Sequence, residues 1–271
     1  MSKQRATLAS LLLLIVILVL YVWQIEPRNI TVTRIDLPPR LAEAFAGQKI
    51  AFIADLHITA DWRKEKALLA RLSEIKPDYL LIGGDLVWYQ RSVSPAVEFL
   101  KKLPPTKGSF VVLGDSDYMG RVRNCAYCHV PGSRELRTDL PVTFLRNEAL
   151  EIADGKAMLV GLDGEDDSGW DAACAENITP DLPSLVLVHY PEAADRVAAY
   201  RPDLVLAGDT HGGQVAGVDR LGEIIHGPMP YPQGWFEVDG TPLFVTRGIG
   251  ESLLPVRFGR PPEIVVLRGK R

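Results

Sequence analysis

Cysteine is scarce in this chain: three residues among 271, too few for a disulfide framework. Basic residues are outnumbered too, 30 Lys and Arg against 34 Asp and Glu, giving a net charge of −4 and an isoelectric point near 5.8. That balance argues against a nucleic-acid binder working through a broad basic face, and a small anionic substrate would need cations to hold it. No internal repeat or low-complexity tract is present, and no small-x-small cleavage site follows the apolar run near the N-terminus. Two of the cysteines do form a pattern, because Cys125-Ala126-Tyr127-Cys128-His129 spells the pentapeptide that attaches c-type haem. The helices and axial methionine of a cytochrome are missing around it. A local Cys125/Cys128 disulfide or metal clip is the preferred reading, a redox or c-type haem module the lesser alternative, and Cys174 is left as a buried thiol.

An apolar content of 47% with 24% charge is enough to bury a full core, in one large domain or two small ones. Residues Ala6 to Ile25 hold the run LLLLIVILVLYVW, preceded by Lys3 and Arg5 and carrying Tyr21 and Trp23 near its far end. Its length suits a bilayer crossing with aromatics at one interface. The chain thus divides into an N-terminal membrane anchor and linker (1–28) and a catalytic domain (29–271). Arg28, Arg34 and Arg40 rival the N-terminal charges, but a short basic N-terminus usually stays inside. The expected location is the cell (inner) membrane, single-pass, with the domain extracytoplasmic.

Past the anchor, one construction recurs. Ile50 to Ala54 reads as a buried strand running into Asp55-Leu56-His57, two metal-capable groups on one side of an extended chain. Tyr79 to Ile82 closes on Gly83-Gly84-Asp85, Ser109 to Leu113 on Gly114-Asp115-Ser116-Asp117, Leu185 to Val188 on His189, and Leu204 to Ala207 on Gly208-Asp209-Thr210-His211. Helical spacing over Trp62–Ile75, Val93–Leu103 and Pro191–Tyr200 alternates with these strands, as an α/β fold requires. Val142 to Leu162 changes to closely spaced strands that read as hairpins extending a mixed sheet, and Gly164 to Asp171 as an acidic surface loop. Ligand sites in α/β folds gather outside the carboxyl ends of strands, which predicts that the five tips meet.

The ordered series Asp55-x-His57, Gly84-Asp85, Gly114-Asp-Ser-Asp117, His189 and Gly208-Asp-Thr-His211-Gly-Gly-Gln214 resembles the calcineurin-like metallophosphoesterases, above all their membrane-associated bacterial branch. The likeness extends from about Lys49 to Leu267 and takes in Leu243-Phe-Val-Thr-Arg-Gly-Ile-Gly250. It implies a four-layer α/β/β/α sandwich and a hydrolase of phosphoesters, a phosphodiesterase or pyrophosphatase, with two divalent metal ions and a bridging hydroxide. The substrate could be lipid-linked. Residue by residue it gives Asp55, His57 and His211 to one metal and His189 to the second, with Asp85 bridging. It puts Asp85, Ser116 and Asp117 in the catalytic group. Three positions depart from the family's pattern: Asp115 stands where Asn is usual, Asp209 where a His is usual, and Ser116 where a His commonly helps protonate the leaving group. Asp115 and Asp209 can still ligate hard ions, so Mn²⁺ or Mg²⁺ is expected ahead of Zn²⁺ or Fe. The same departures support the alternative of a metal-binding pseudoenzyme. His129 is a candidate substitute acid and His226 a turn residue or substrate contact. Trp62, Trp88, Tyr89 and Trp235 could line a lipid-facing mouth. Specificity is expected in the loops Gly120 to Pro141 and Gly164 to Ala175.

Overall fold

The run Lys49–Ile53 is apolar on both faces of one strand, and the faces go to different places. Ile50 and Phe52 pack with Leu81, Leu185, Leu206 and Phe244, whereas Ala51 and Ile53 pack with Leu68, Leu72, Leu80 and Phe99. Because side chains alternate along a strand, one stretch of sequence contributes to two cores. The computed structural model in which this is seen describes residues 3–59, 62–88, 92–119, 124–128, 135–217, 229–252 and 254–269.

In chain order the strands begin with β1 (Thr31–Asp36), β2 (Lys49–Ile53), β3 (Tyr79–Ile82), β4 (Gly108–Val111), β5 (Tyr118–Met119), β6 (Asn124–Cys125) and β7 (Thr143–Phe144). They continue with β8 (Glu148–Ile152), β9 (Ala157–Gly161), β10 (Ser184–Leu187), β11 (Leu204–Ala207), β12 (Gly234–Val238), β13 (Thr241–Val245) and β14 (Glu263–Arg268). The helices are α1 (Lys3–Leu20), α2 (Pro39–Ala44), α3 (Arg63–Ile75), α4 (Ser94–Leu100), α5 (Trp170–Asn177) and α6 (Ala194–Val197).

Two six-stranded mixed sheets result, ordered β1-β14-β2-β3-β4-β7 and β12-β13-β11-β10-β9-β8. In the first, β2, β3, β4 and β7 are parallel, and in the second β9, β10, β11 and β13 are. The sheets pack face to face over the cluster that holds Ile50, Phe52 and Leu206. Helices α3 and α4 cover the outer face of the first sheet through Leu68, Leu72, Ala96 and Phe99. Helices α5 and α6 cover the second through Trp170, Ala173, Ala194 and Val197. This is the expected four-layer α/β/β/α sandwich, and each buried Leu or Phe in it contributes about 1.5–3 kcal/mol.

The structure departs from the sequence-based expectation in three stretches. The strands of Val142–Leu162 do not extend one sheet: β7 joins the first sheet beside β4, while the antiparallel pair β8–β9 forms an edge of the second. The acidic stretch from Gly164 is shorter than expected, because Trp170 begins α5 and its ring is buried, with Nε1 donating to Asp163 O at 2.9 Å. The helix expected over Pro191–Tyr200 is tighter, with a 3₁₀ turn on either side of the four residues of α6.

At the N-terminus a helix spans Gln4–Arg28, 25 residues that are long and apolar enough to cross a membrane. At 1.5 Å per residue that is roughly 37 Å, against about 30 Å for a hydrocarbon core. The side chains of Leu8 through Leu20 are exposed, as a lipid-facing helix requires. Past Leu20 the helix widens, with Glu26 N–H donating to Tyr21 O, and its end is tied to the domain. Arg257 N donates to Val22 O at 2.9 Å and Arg260 N to Glu26 Oε1 at 2.9 Å, the Tyr21 ring meets Phe258 edge-on, and Glu26 and Pro27 are buried.

Candidate metal centre

Strands β2, β3 and β4 of the first sheet and β10 and β11 of the second end at a common place, and each end carries a turn that aims a carboxylate or imidazole inward. The tips are hydrogen-bonded to one another: Asp55 N donates to Gly84 O at 3.0 Å, His57 N to Asp85 O at 2.9 Å, and Asp209 N to Asp55 Oδ1 at 2.9 Å. Such close approach needs small residues. A Cβ on Gly84 would come within 2.7 Å of Gly114 N and 2.8 Å of His189 Nδ1. Asp55, His57, Asp85, Asp209 and His211 all have left-handed backbones, with φ between 40° and 71°. Non-glycine residues rarely adopt that region, and each such residue costs about 1–3 kcal/mol that the surrounding structure must supply.

Asp85 lies at the middle. Its Oδ1 is 3.4 Å from His189 Nε2 and its Oδ2 is 3.4 Å from His57 Nε2, so its two oxygens face imidazoles on opposite sides. His57 Nε2 is in turn 3.1 Å from His211 Nε2, and the two rings stack. On the other side His189 Nε2 lies 3.6 Å from Asp209 Oδ1 and 3.9 Å from Asp115 Oδ1, with Asp55 Oδ1 3.8 Å from the same ring's Nδ1. Two backbone carbonyls set the rings: Gly83 O accepts from His189 Nδ1 at 2.8 Å and Gly250 O from His211 Nδ1 at 3.2 Å. Fixing Nδ1 in this way turns Nε2 toward the centre, which is how ligand imidazoles are usually oriented.

The donor set fits divalent cations. Two groups of ligand atoms lie within 4.8 Å of one another, Asp55 with Asp85 and His189, and Asp115 with His189 and Asp209. His189 Nε2 and Asp55 Oδ2 are buried without a hydrogen-bond partner. A buried polar atom left unpaired costs about 1–3 kcal/mol, and a cation would satisfy both. Burial also pushes the Asp55 carboxyl up to about 7 and Asp209 up to about 6, and raises Asp85 well above its ordinary value. These groups resist carrying charge here unless positive charge accompanies them. The imidazoles split: burial drives His57 down to about 3, whereas at His189 burial is overcome by Asp85, Asp209 and Asp55, and the ring rises to about 10. The acid-rich half of the centre is the His189 half.

All seven residues expected as ligands, Asp55, His57, Asp85, Asp115, His189, Asp209 and His211, therefore converge. The two other residues expected in catalysis take supporting positions. Ser116 N donates to Asp85 Oδ1 at 3.0 Å and Ser116 Oγ to Asp85 Oδ2 at 2.9 Å, so this hydroxyl serves the central carboxylate. Asp117 is fully buried and accepts from the backbone N–H groups of Leu86, Val87 and Gly114 at 3.0, 3.3 and 3.1 Å, which makes it a brace for two of the tips. Of the aromatic candidates, Trp88 stands 6.0 Å from the His57 ring. Trp62 packs on the α3 core under Lys102, and Trp235 lies on β12 against Phe244. Tyr89, His129 and His226 lie outside the described residues.

Two further supports were given no role from the sequence, although Gln214 closes the last motif of the series. Arg257 is fully buried and donates to His211 O at 3.4 Å and Gly250 O at 2.5 Å, holding the carbonyl that orients His211. Gln214 Oε1 accepts from Ser252 N at 2.6 Å, and its Nε2 donates to Leu254 O and Val256 O, so it clamps the segment that carries Arg257. Cys125 and Cys128 form a disulfide, which occupies both sulfurs that a haem thioether would need, and Cys174 is a buried thiol. A larger cavity of about 880 Å³ lies elsewhere, lined by Lys107, Gly108, Leu140 and Thr143, and none of the metal-capable residues reaches it.

Comparison with known proteins agrees with this geometry. Residues 48–213 match the family described as calcineurin-like phosphoesterase, the span that holds all seven ligand candidates. The chain is 30% identical to the uncharacterized metallophosphoesterase YkuE of Bacillus subtilis (strain 168), over 91% of this chain and 87% of that protein. It is 28% identical to a transmembrane protein with metallophosphoesterase domain from Danio rerio, over 86% of this chain but only 56% of the relative. It is 25% identical to the UDP-2,3-diacylglucosamine pyrophosphatase LpxG of Chlamydia muridarum (strain MoPn / Nigg), over 92% of each. With its two sheets, its converging Asp and His tips and these matches, the chain belongs to the calcineurin-like phosphoesterase family of hydrolases.

Proposed function

We propose that the chain hydrolyses a phosphodiester or pyrophosphate bond at a dinuclear centre held by Asp55, His57, Asp85, Asp115, His189, Asp209 and His211. The observation that carries this reading is the position of Asp85, whose two oxygens face His57 and His189 at 3.4 Å each. A carboxylate so placed can bridge two ions. Bound there, divalent ions would acidify a water and neutralise charge developing on the phosphoryl oxygens. The protein's own work is to hold geometry: carbonyls of Gly83 and Gly250 fix two imidazoles, Ser116 fixes Asp85, and Asp117 fixes the turns that carry Asp85 and Asp115. Four aspartates in the set suit hard ions, which favours Mn²⁺ or Mg²⁺ over Zn²⁺.

The membrane placement is part of the same proposal. The helix Gln4–Arg28 anchors the protein as a single pass in the cell membrane, and the Cys125–Cys128 disulfide supports a domain on the oxidising, extracytoplasmic side. A reporter fused after Arg271 reads the side directly.

The deciding experiment is hydrolysis of bis-p-nitrophenyl phosphate by purified full-length protein across Mn²⁺, Mg²⁺, Zn²⁺ and Fe²⁺, with bound metal measured in parallel. Parent protein should turn over only with added metal. Asp85→Asn should lose bound metal and about a hundredfold or more in turnover. Equal activity in Asp85→Asn and parent with every metal would defeat the dinuclear reading, and metal binding without turnover would leave a pseudoenzyme.

A further inference from the structure

The end of the anchor helix does more than tether the domain. Trp23, Gln24, Pro27 and Arg28 form one wall of a pocket of about 420 Å³ whose other walls are Thr59, Arg63, Lys64, Glu65, Trp88, Glu251 and Pro255. Three of these residues adjoin the metal centre in the chain. Thr59 follows His57 by two positions, Trp88 follows Asp85 by three with its ring 6.0 Å from the His57 ring, and Glu251 follows Gly250, whose carbonyl accepts from His211 Nδ1. The pocket is therefore one aromatic ring away from a ligand imidazole, and the last turns of the membrane helix close it.

Its height relative to a bilayer is set by the same contacts. Val22 O and Glu26 Oε1 accept from the backbones of Arg257 and Arg260. The Arg257 side chain reaches on to the carbonyls of His211 and Gly250. Anchor and metal centre are thus joined through one buried residue. Tyr21 and Trp23 are the aromatic pair that would lie at headgroup level, and Trp23 is 48% exposed. The pocket shares Trp23 with that belt, which would put it at headgroup depth when the helix spans a bilayer. Among the described residues its charged lining is three cations, Arg28, Arg63 and Lys64, against two acids, of which Glu251 pairs with Lys64 at 2.8 Å and Glu65 accepts from Thr59 N. The balance is positive and the walls include two tryptophans, a combination that suits an anionic group attached to an apolar body.

We propose that this pocket is the subsite for the part of a membrane-resident anionic amphiphile that adjoins its scissile phosphate, so that substrate enters sideways from the leaflet and its acyl chains stay in the bilayer. This rests on the phosphoester-hydrolase reading above. A soluble phosphoester would fill the metal centre and leave the pocket to water. A volume of about 420 Å³ accommodates a glycerol or sugar unit, as a headgroup subsite requires.

The test uses full-length protein reconstituted in phosphatidylcholine vesicles and two chromogenic probes with the same leaving group. One is dioleoyl phosphatidyl-p-nitrophenol in the vesicles, and the other is bis-p-nitrophenyl phosphate in solution. The quantity read is the ratio of kcat/KM for the lipid probe to that for the soluble probe. Arg63→Glu and, separately, Trp23→Ala should lower that ratio about tenfold, mainly through the KM of the lipid probe, as a loss of about 1.4 kcal/mol in binding requires. A ratio that stays at the parent value in both variants overturns the subsite, and so does an equal fall with both probes. If the parent hydrolyses the soluble probe and ignores the lipid one, the subsite is again wrong while the hydrolase reading stands. If the parent hydrolyses neither with any metal, the hydrolase reading itself fails.

Discussion

Asp117 offers the sharpest separation between holding the site and taking part in the reaction. Its carboxylate is fully buried and accepts three backbone N–H groups, two from the Asp85 turn and one from Gly114 beside Asp115. In Asp117→Asn the amide oxygen can keep Leu86 and Val87, but the amide nitrogen then faces Gly114 N–H, donor against donor. One buried hydrogen bond is lost and one donor stranded, at about 1–3 kcal/mol. Burial pushes the Asp117 carboxyl up to about 6, so removing its charge offsets part of that cost. At roughly 2–4 °C per kcal/mol for a domain of this size, the melting temperature should fall by about 2–12 °C. Asp117→Ala strands three donors, roughly 3–9 kcal/mol, which rivals the whole stability of about 5–15 kcal/mol and should prevent folding. Thermal unfolding followed by circular dichroism, with turnover of the soluble diester measured on the same samples, decides the matter. Asp117 is not a brace if Asp117→Asn melts with the parent yet loses about a hundredfold in kcat, for then the carboxylate touches the reacting atoms.

Ser116→Ala should weaken metal binding by about 10- to 100-fold, the usual cost of losing a group that orients a ligand, and it should do so equally for good and poor leaving groups. A loss confined to alkyl esters, measured against nitrophenyl esters, would instead make Ser116 the acid. The parent should prefer Mn²⁺ or Mg²⁺, and Asp115→Asn combined with Asp209→His should turn the order toward Zn²⁺; an unchanged order in a metal-titrated assay counts against carboxylate control of the second site. Iodoacetamide should label Cys125 and Cys128 only after reduction, and protein made with cytochrome maturation present should show no reduced c-type bands. A labelled Cys125 in unreduced protein, or such bands, would remove the disulfide.

What could be read from the sequence follows from where the physics is local. The convergence of the ligand candidates was legible because an apolar run of four or five residues ending in Asp or His is a strand with its functional group at the tip, and α/β folds gather such tips at one end of the sheet. The helix α3 was legible because Leu68 and Leu72 sit one turn apart. Pairing is not local, and composition and periodicity do not encode it. Thr143–Phe144 is only two residues long and goes to β4, some thirty positions back, while its neighbours β8 and β9 go to the other sheet. The left-handed backbones at Asp55, His57 and Asp85 leave no trace in composition, since none is glycine. Arg257 is the clearest case: nothing in Leu-Pro-Val-Arg-Phe sets it apart from any other arginine, and only the fold shows it buried beneath His211.

The three departures from the family's usual residues are not scattered within the site. Asp115 and Asp209 are its most open members, with side chains 41% and 33% exposed, whereas Asp55 and His189 are closed off completely. Both face His189 Nε2, the buried atom that lacks a partner. Ser116 lies next to Asp115 and puts its hydroxyl on Asp85, the residue common to both halves. Asp115 and Asp209 therefore alter the His189 half of the centre, on its open side, whereas the Ser116 hydroxyl meets the Asp85 oxygen that faces His57. With divalent ions bound, carboxylates in that position would strengthen the hold on a hard ion while lowering the net positive charge that an incoming phosphate meets. A substrate brought in by other contacts depends less on that charge. Arg28, Arg63 and the Glu251-paired Lys64 line the pocket beyond Trp88, on the side where the anchor ends, so in the proposed subsite attraction for the anion and grip on the metal would be carried by different residues.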